Sequence, residues 1–196
     1  CHKVKTTRET SHIPVILLTA LADNESIVAG LKKMPDIYLT KPFNVDVLKA
    51  QIKNVLENRK VLKELYMHSG HGGKFFPEYE PEIQDKESEA NDIDIKFMND
   101  VNEIINKHLG DVLFNVDILC REIGMSRTNF YNKLKSLTEY APADFIRLRR
   151  LEYSRHLLST THLSISEVSD RSGFSDPKYF REVFKKNVGV SPKQYR

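Results

Sequence analysis

One pattern constrains this chain more than any other: a short amphipathic segment, a glycine turn and a second amphipathic segment, present twice. The clearer copy runs from Leu163 to Gln194, LSISEVSDRSGFSDPKYFREVFKKNVGVSPKQ. Ser164 to Ser172 reads as a short helix, Gly173-Phe174-Ser175 as a turn, and Asp176-Pro177 as the opening of a second helix that Gly189 closes. Ser175 or Asp176 can cap that helix, and Pro177 suits its first position. The other copy, LCREIGMSRTNFYNKLKSLTEYAPADFIR, spans Leu119 to Arg147. Gly124-Met125-Ser126 aligns with Gly173-Phe174-Ser175, and Phe130, Leu134 and Lys135 align with Phe180, Phe184 and Lys185 after one inserted residue. A repeat of this length imposes two copies of one supersecondary unit.

The faces of the second helices point to a use. At about 100° per residue, Phe180, Val183 and Phe184 share one side, and Lys178, Arg181, Glu182 and Lys185 lie on the other. In the first copy Phe130, Leu134 and Leu137 face inward, Thr128, Tyr131, Asn132 and Lys135 outward, and Arg127 stands beside the cap. Two helices joined by a tight turn are a helix-turn-helix, whose second helix can enter a major groove. A lone charged face would read as an ordinary solvated surface; the second copy favours nucleic acid. Between the copies, Ala143 to Ser159 reads as a rod helix with two apolar stripes, one of Phe145, Leu148, Leu151 and Leu158, the other of Ile146, Tyr153 and Leu157. A helix apolar on two sides must be covered on two sides. Arg147, Arg149, Arg150 and Arg155 fill its remaining arcs.

Asp94 to Arg196, with GFSDPKYFREVFKK and the closing GVSPKQYR, resembles the DNA-binding domain of the AraC/XylS family. The resemblance implies a mainly α fold of seven helices and two recognition helices reaching successive major grooves on one face of DNA. It implies DNA-contacting roles for Arg127, Thr128, Tyr131 and Asn132 in the first unit and for Lys178, Arg181 and Glu182 in the second. Lys135 and Lys185, near the ends of their helices, are expected to hold phosphates.

Upstream, IPVILLTA (Ile13 to Ala20) reads as a buried parallel strand, and Asp23 to Lys33 has helical character. A short strand Ile37-Tyr38-Leu39 follows, then Thr40-Lys41-Pro42-Phe43, then a helix capped by Asn44 and extending to about Tyr66. This order resembles the C-terminal half of a flavodoxin-like response-regulator receiver domain. Thr19 matches that family's phosphoryl-contacting hydroxyl, Lys41 its paired lysine and Tyr38 its switch aromatic. Lys33-Met34-Pro35-Asp36 departs from the usual Gly-Ala turn. Neither the acceptor aspartate nor the Mg²⁺-binding acidic pair has a match, so no phosphorylation by the usual route is expected, and Mg²⁺ is expected only with a complete receiver. The combination resembles the C-terminal end of Bacteroides-type hybrid two-component regulators.

The expected organisation is therefore a partial α/β receiver at 1–66, a flexible acidic linker at 67–93 and a double helix-turn-helix domain at 94–196. Charge supports the division: residues 95–196 hold 17 Lys and Arg against 12 Asp and Glu, whereas 78–94 hold 8 acidic residues and only Lys86. Cys1 and Cys120 have no metal or redox spacing, and Cys120 falls among core positions. His68 and His71 lack partner ligands, so no metal is expected. No nucleophile elbow, phosphate loop or kinase motif is present, and an enzyme is not expected within these residues; a histidine kinase region would belong to an upstream part of the full-length protein. Duplex DNA is the expected partner, with homodimerisation of the full-length protein expected and RNA polymerase a candidate. A protein-binding module is the alternative, which salt dependence would separate. The expected location is the cytoplasm, with no membrane contact from these residues, no span of membrane-crossing length and no signal peptide, and with inner-membrane anchoring through upstream segments left open.

Overall fold

The computed structural model describes residues 1–20, 24–33, 35–68 and 89–196. Among these, the elements are α1 (His2–Thr6), β1 (Ile16–Thr19), α2 (Asn24–Leu31), β2 (Ile37–Thr40), α3 (Val45–His68), α4 (Glu89–Lys107), α5 (Val116–Ile123), α6 (Arg127–Thr138), α7 (Pro142–Thr160), α8 (Ile165–Arg171), α9 (Pro177–Val188) and α10 (Pro192–Tyr195). One compact unit takes in the described residues up to His68 together with Glu89–Asn99 and Asn132–Glu139; a second takes in Asp100–Tyr131 and Tyr140–Arg196. No described helix is long and apolar enough to cross a membrane. Most of the acidic linker, residues 69–88 with His71, lies outside the described residues; α4 begins at Glu89, within the stretch expected to be flexible and ahead of the expected start at Ile95.

In the first unit β1 and β2 pair in parallel, from Ile16 opposite Ile37 to Thr19 opposite Thr40. The expected strands are present, but β1 is not buried: Ile16 and Leu18 are 39% and 42% exposed. Each described strand has a single neighbour, and a two-stranded sheet cannot enclose its own apolar face. Order comes instead from polar contacts. Buried Lys5 pairs with Asp36 at 2.5 Å. The same carboxylate accepts from the Val15 amide at 2.7 Å and lies 3.9 Å from Arg59. Arg59 also donates to the His12 carbonyl. Phe97, Met98, Leu134 and Leu137 supply buried apolar bulk.

His12 is buried in this unit. Burial first, and the Lys133 charge second, push its imidazole down to about 4 from 6.5. A depressed histidine is neutral when folded at neutral pH, while the unfolded chain takes up the proton as pH falls below about 6.5. Its contribution to stability is therefore present above about 6.5 and is lost progressively down to about 4. His12→Gln should flatten the fall in denaturation midpoint between these pH values relative to the wild type; parallel curves would contradict it.

In the second unit the apolar patterns fold as their spacing requires. Asn115 caps α5, accepting from the amides of Asp117 and Ile118 at 2.9 and 3.2 Å. Ser164 and Glu167 form a capping box on α8, and Ser191 and Gln194 another on α10. α7 is buried on both expected stripes, at Phe145, Leu151 and Leu158 and at Ile146 and Leu157. Arg149, expected on an outer arc, is buried instead. Its guanidinium donates to Asn102 Oδ1 from Nε and Nη2 at 3.2 and 2.9 Å and to Glu152 from Nη1 at 2.7 Å. A fixed fork of donors with two acceptors is what makes a buried arginine tolerable.

The two turn glycines are both left-handed, Gly124 at φ +73° and Gly173 at φ +72°, but their surroundings differ. A Cβ at Gly124 would meet nothing within 4 Å, whereas at Gly173 it would stand 2.4 Å from the Leu109 carbonyl oxygen and 2.8 Å from Arg150 Nε. Gly124→Ala should cost only backbone strain, about 1–2 kcal/mol. Gly173→Ala adds overpacking against backbone and should cost roughly 3 kcal/mol or more. Urea denaturation measures both; equal losses would contradict the close approach at Gly173.

Candidate nucleic-acid interface

The second helix-turn-helix is built on aromatic packing. Asp176 caps α9, its carboxylate accepting from the amides of Lys178 and Tyr179 at 2.9 and 3.3 Å, and Pro177 occupies the first position. Phe180 and Phe184 are fully buried. Ring centroids run Phe174–Phe180 at 5.1 Å, Phe180–Phe184 at 5.6 Å and Phe184–Tyr195 at 5.5 Å, the last two edge-on, a geometry the ring quadrupoles favour. Tyr195 in turn accepts from Arg155 Nε at 3.1 Å. Leu151, Leu157, Leu158 and Val168 complete this core. With Phe180 and Phe184 fixed inward, Lys178, Arg181, Glu182 and Lys185 all lie exposed. Gly189 ends the helix at φ +87°, its amide donating to the Lys185 carbonyl.

The upstream helix-turn-helix repeats the division. Gly124 turns the chain after α5, and Ser126 Oγ accepts from the Asn129 amide at 3.3 Å. Phe130, Leu134 and Leu137 are buried. Arg127, Thr128, Tyr131, Asn132 and Lys135 are exposed. A guanidinium, an amide, hydroxyls and an ammonium can bond base edges and phosphates, and the first turn of a helix offers backbone amides to an anion. Arg127 Nε donates to Asp117 Oδ1 at 2.8 Å, which ties this arginine to the first turn of α5. Asp117 escaped the sequence reading, although its place behind the Asn115 cap put it near the next helix. Lys133 escaped it too: it is fully buried on the inward arc of α6, although a lysine read by itself belongs to the surface.

Thr19 and Tyr38 stand on adjacent strands, and Lys41 follows β2 directly. Thr19 ends β1 opposite Thr40, and the Lys41 amide donates to the Thr19 carbonyl at 2.7 Å. Tyr38 is half-buried in β2. Among the described residues no group of three or more His, Cys, Asp or Glu could hold a metal ion.

Comparison with known proteins bears on the C-terminal region most directly. The helix-turn-helix domain family matches residues 119–196. The chain is 35% identical over 196 residues, its whole length, to histidine kinase P4 of Formosa agariphila, of which it spans 14%. It is 37% identical over 81 residues, 41% of its length, to the xylose operon regulatory protein of Escherichia coli, of which it spans 21%. A solved transcriptional regulator with an AraC-type DNA-binding domain, from Chromobacterium violaceum, superposes on 52% of this chain and 90% of its own with a TM-score of 0.50 at 20% identity, a likeness of fold. The chain thus spans 14% and 21% of the length of these two curated relatives. α4 through α10 supply the seven helices expected of such a domain. With its two helix-turn-helix units and these matches, the chain carries in its C-terminal part a helix-turn-helix domain of the AraC type.

Proposed function

We propose that this chain is the sequence-reading output end of a two-component phosphorelay, and that each monomer sets α6 and α9 into successive major grooves of duplex DNA. The observation that carries the DNA reading is the doubled division of faces: in both helix-turn-helix motifs the aromatic and aliphatic side is buried, and the polar side with its cations and amide is exposed. The relay context is supported by the match of all 196 residues to a protein named as a histidine kinase, and by Thr19, Tyr38 and Lys41 at the ends and middle of a parallel strand pair. In this reading 1–66 derives from a receiver, 67–93 is the tether and 94–196 the DNA-binding domain. The protein is cytoplasmic or inner-membrane anchored, acts as a homodimer, and has RNA polymerase as a candidate partner. No catalytic role is assigned to any of these residues; kinase activity would belong to other parts of the full-length protein.

Within the interface, Asn132 and Arg181 are the proposed base readers, because an amide can pair bidentately with adenine and a guanidinium with guanine. Arg127, Thr128, Tyr131 and Lys178 flank them. Glu182 either holds Arg181 in place or accepts from cytosine. Lys135 and Lys185 hold phosphates. Asn132→Ala or Arg181→Ala should cost roughly 1–3 kcal/mol of binding and relax base preference at one half-site. Lys135→Ala should weaken all sequences alike and make the salt dependence shallower. Titration of each variant against single-base operator variants, at two salt concentrations, decides this. Uniform weakening by both Asn132→Ala and Arg181→Ala would show that the reading faces are assigned wrongly.

A further inference from the structure

The inner side of α6 carries a cation at a position where its neighbours are apolar. Lys133 shares the buried arc of Phe130, Leu134 and Leu137, and it is completely buried. Its ammonium has three donors, and three acceptors meet them. Nζ donates to Asp94 Oδ1 at 2.7 Å, to Ser11 Oγ at 2.7 Å and to the Arg8 carbonyl. Ser11 Oγ in turn donates to the same Asp94 oxygen at 2.6 Å. Nζ also lies 4.9 Å from the centroid of the Phe97 ring. Ser11 and Asp94 are themselves buried, at 1% and 6% exposed. The cluster therefore closes on itself, with the serine both accepting and donating.

A buried ion pair adds little stability over an apolar contact of the same shape, but it tolerates only one arrangement, since shifting any partner strands a charge out of water. An apolar residue at 133 would let the segment around Ser11 slide; a saturated ammonium fixes it. The segment is also tied behind: Arg59 of α3 donates to the His12 carbonyl and lies 3.9 Å from Asp36, at the threshold of β2. Asn132 and Lys135 are exposed on α6 while Lys133 is buried.

We propose that residues 8–12 form a docking segment for the first reading helix, gripping it from behind through Lys133 and Asp94, so that the state of the α/β part sets how firmly α6 is held for DNA. The docking itself stands on the geometry; its consequence for DNA rests on the function proposed above. A chain of contacts becomes a coupling only when a cycle of substitutions shows one.

The test uses the full 196-residue chain with Ser11→Ala, Lys133→Met and the double variant. Two quantities are read: hydrogen exchange at the amides of α6, and affinity for a duplex that the wild-type chain has selected from a random pool. Ser11→Ala should speed exchange in the 132–138 stretch about 5-fold, which is about 1 kcal/mol, the worth of one hydrogen bond. It should also weaken binding by a similar factor without changing base preference. The double variant should be no worse than Lys133→Met alone. Should Lys133→Met fail to fold, Asp94→Asn takes its place in the cycle. Additive effects on exchange, or wild-type exchange in Ser11→Ala, would overturn the docking. Wild-type binding in Ser11→Ala despite faster exchange would overturn its link to DNA. A wild-type chain that selects no duplex would overturn the DNA reading instead, while the exchange cycle still decides the docking.

Discussion

The edge-to-face packing of Phe180 and Phe184 beneath α9 is the interaction on which the rest depends. Both rings are fully buried, and Phe174 and Tyr195 bracket them from the turn and from the last helix. Two large rings four residues apart fix the rotation of a helix about its axis, because turning it would expose both. Rotation is what a reading helix must have settled beforehand: with Phe180 and Phe184 inward, Lys178, Arg181, Glu182 and Lys185 can only point out. Asp176 and Gly189 then fix where the helix starts and stops, and so which residues occupy its first turn.

The rod helix α7 answers a different problem. It is buried on two sides, yet it carries four arginines. Arg149 is absorbed by Asn102 and Glu152, and Arg150 donates to the carbonyls of Asp111 and Phe114 at 2.7 and 3.2 Å. These side chains thus serve as internal struts: Arg150 holds the loop ahead of α5, and Arg149 joins α7 to α4. Lys133 does the same for the 8–12 segment. In each case a charge is spent on fixing one arrangement of neighbouring elements.

Local chemistry explains what could be read from the sequence. α5 spans the expected Val116 to Ile123, and α9 runs from the Asp176 cap to the Gly189 stop, because caps, proline at the first position and left-handed glycine act within a few residues of where they stand. The inward and outward residues of α6 and α9 were equally legible, since a repeated 3.6-residue period leaves little choice. Lys133 and Arg149 were not. A basic residue in an isolated sequence reads as surface, and the acceptors that bury these two lie 122 and 47 residues away, at Ser11 and Asn102. β1 erred in the opposite direction: IPVILLT has the composition of a buried strand, but burial is a property of what covers it, and Ile16 and Leu18 are exposed here.

Two copies of one unit in a single chain, as proposed here, would read DNA at two places. The most direct test is to select duplexes from a random pool with the wild-type chain and to read the recovered motif. Two short conserved blocks are expected, centred about 10–10.5 bp apart, one turn of the double helix. A single block, or binding that recovers no motif at all, would contradict the proposal.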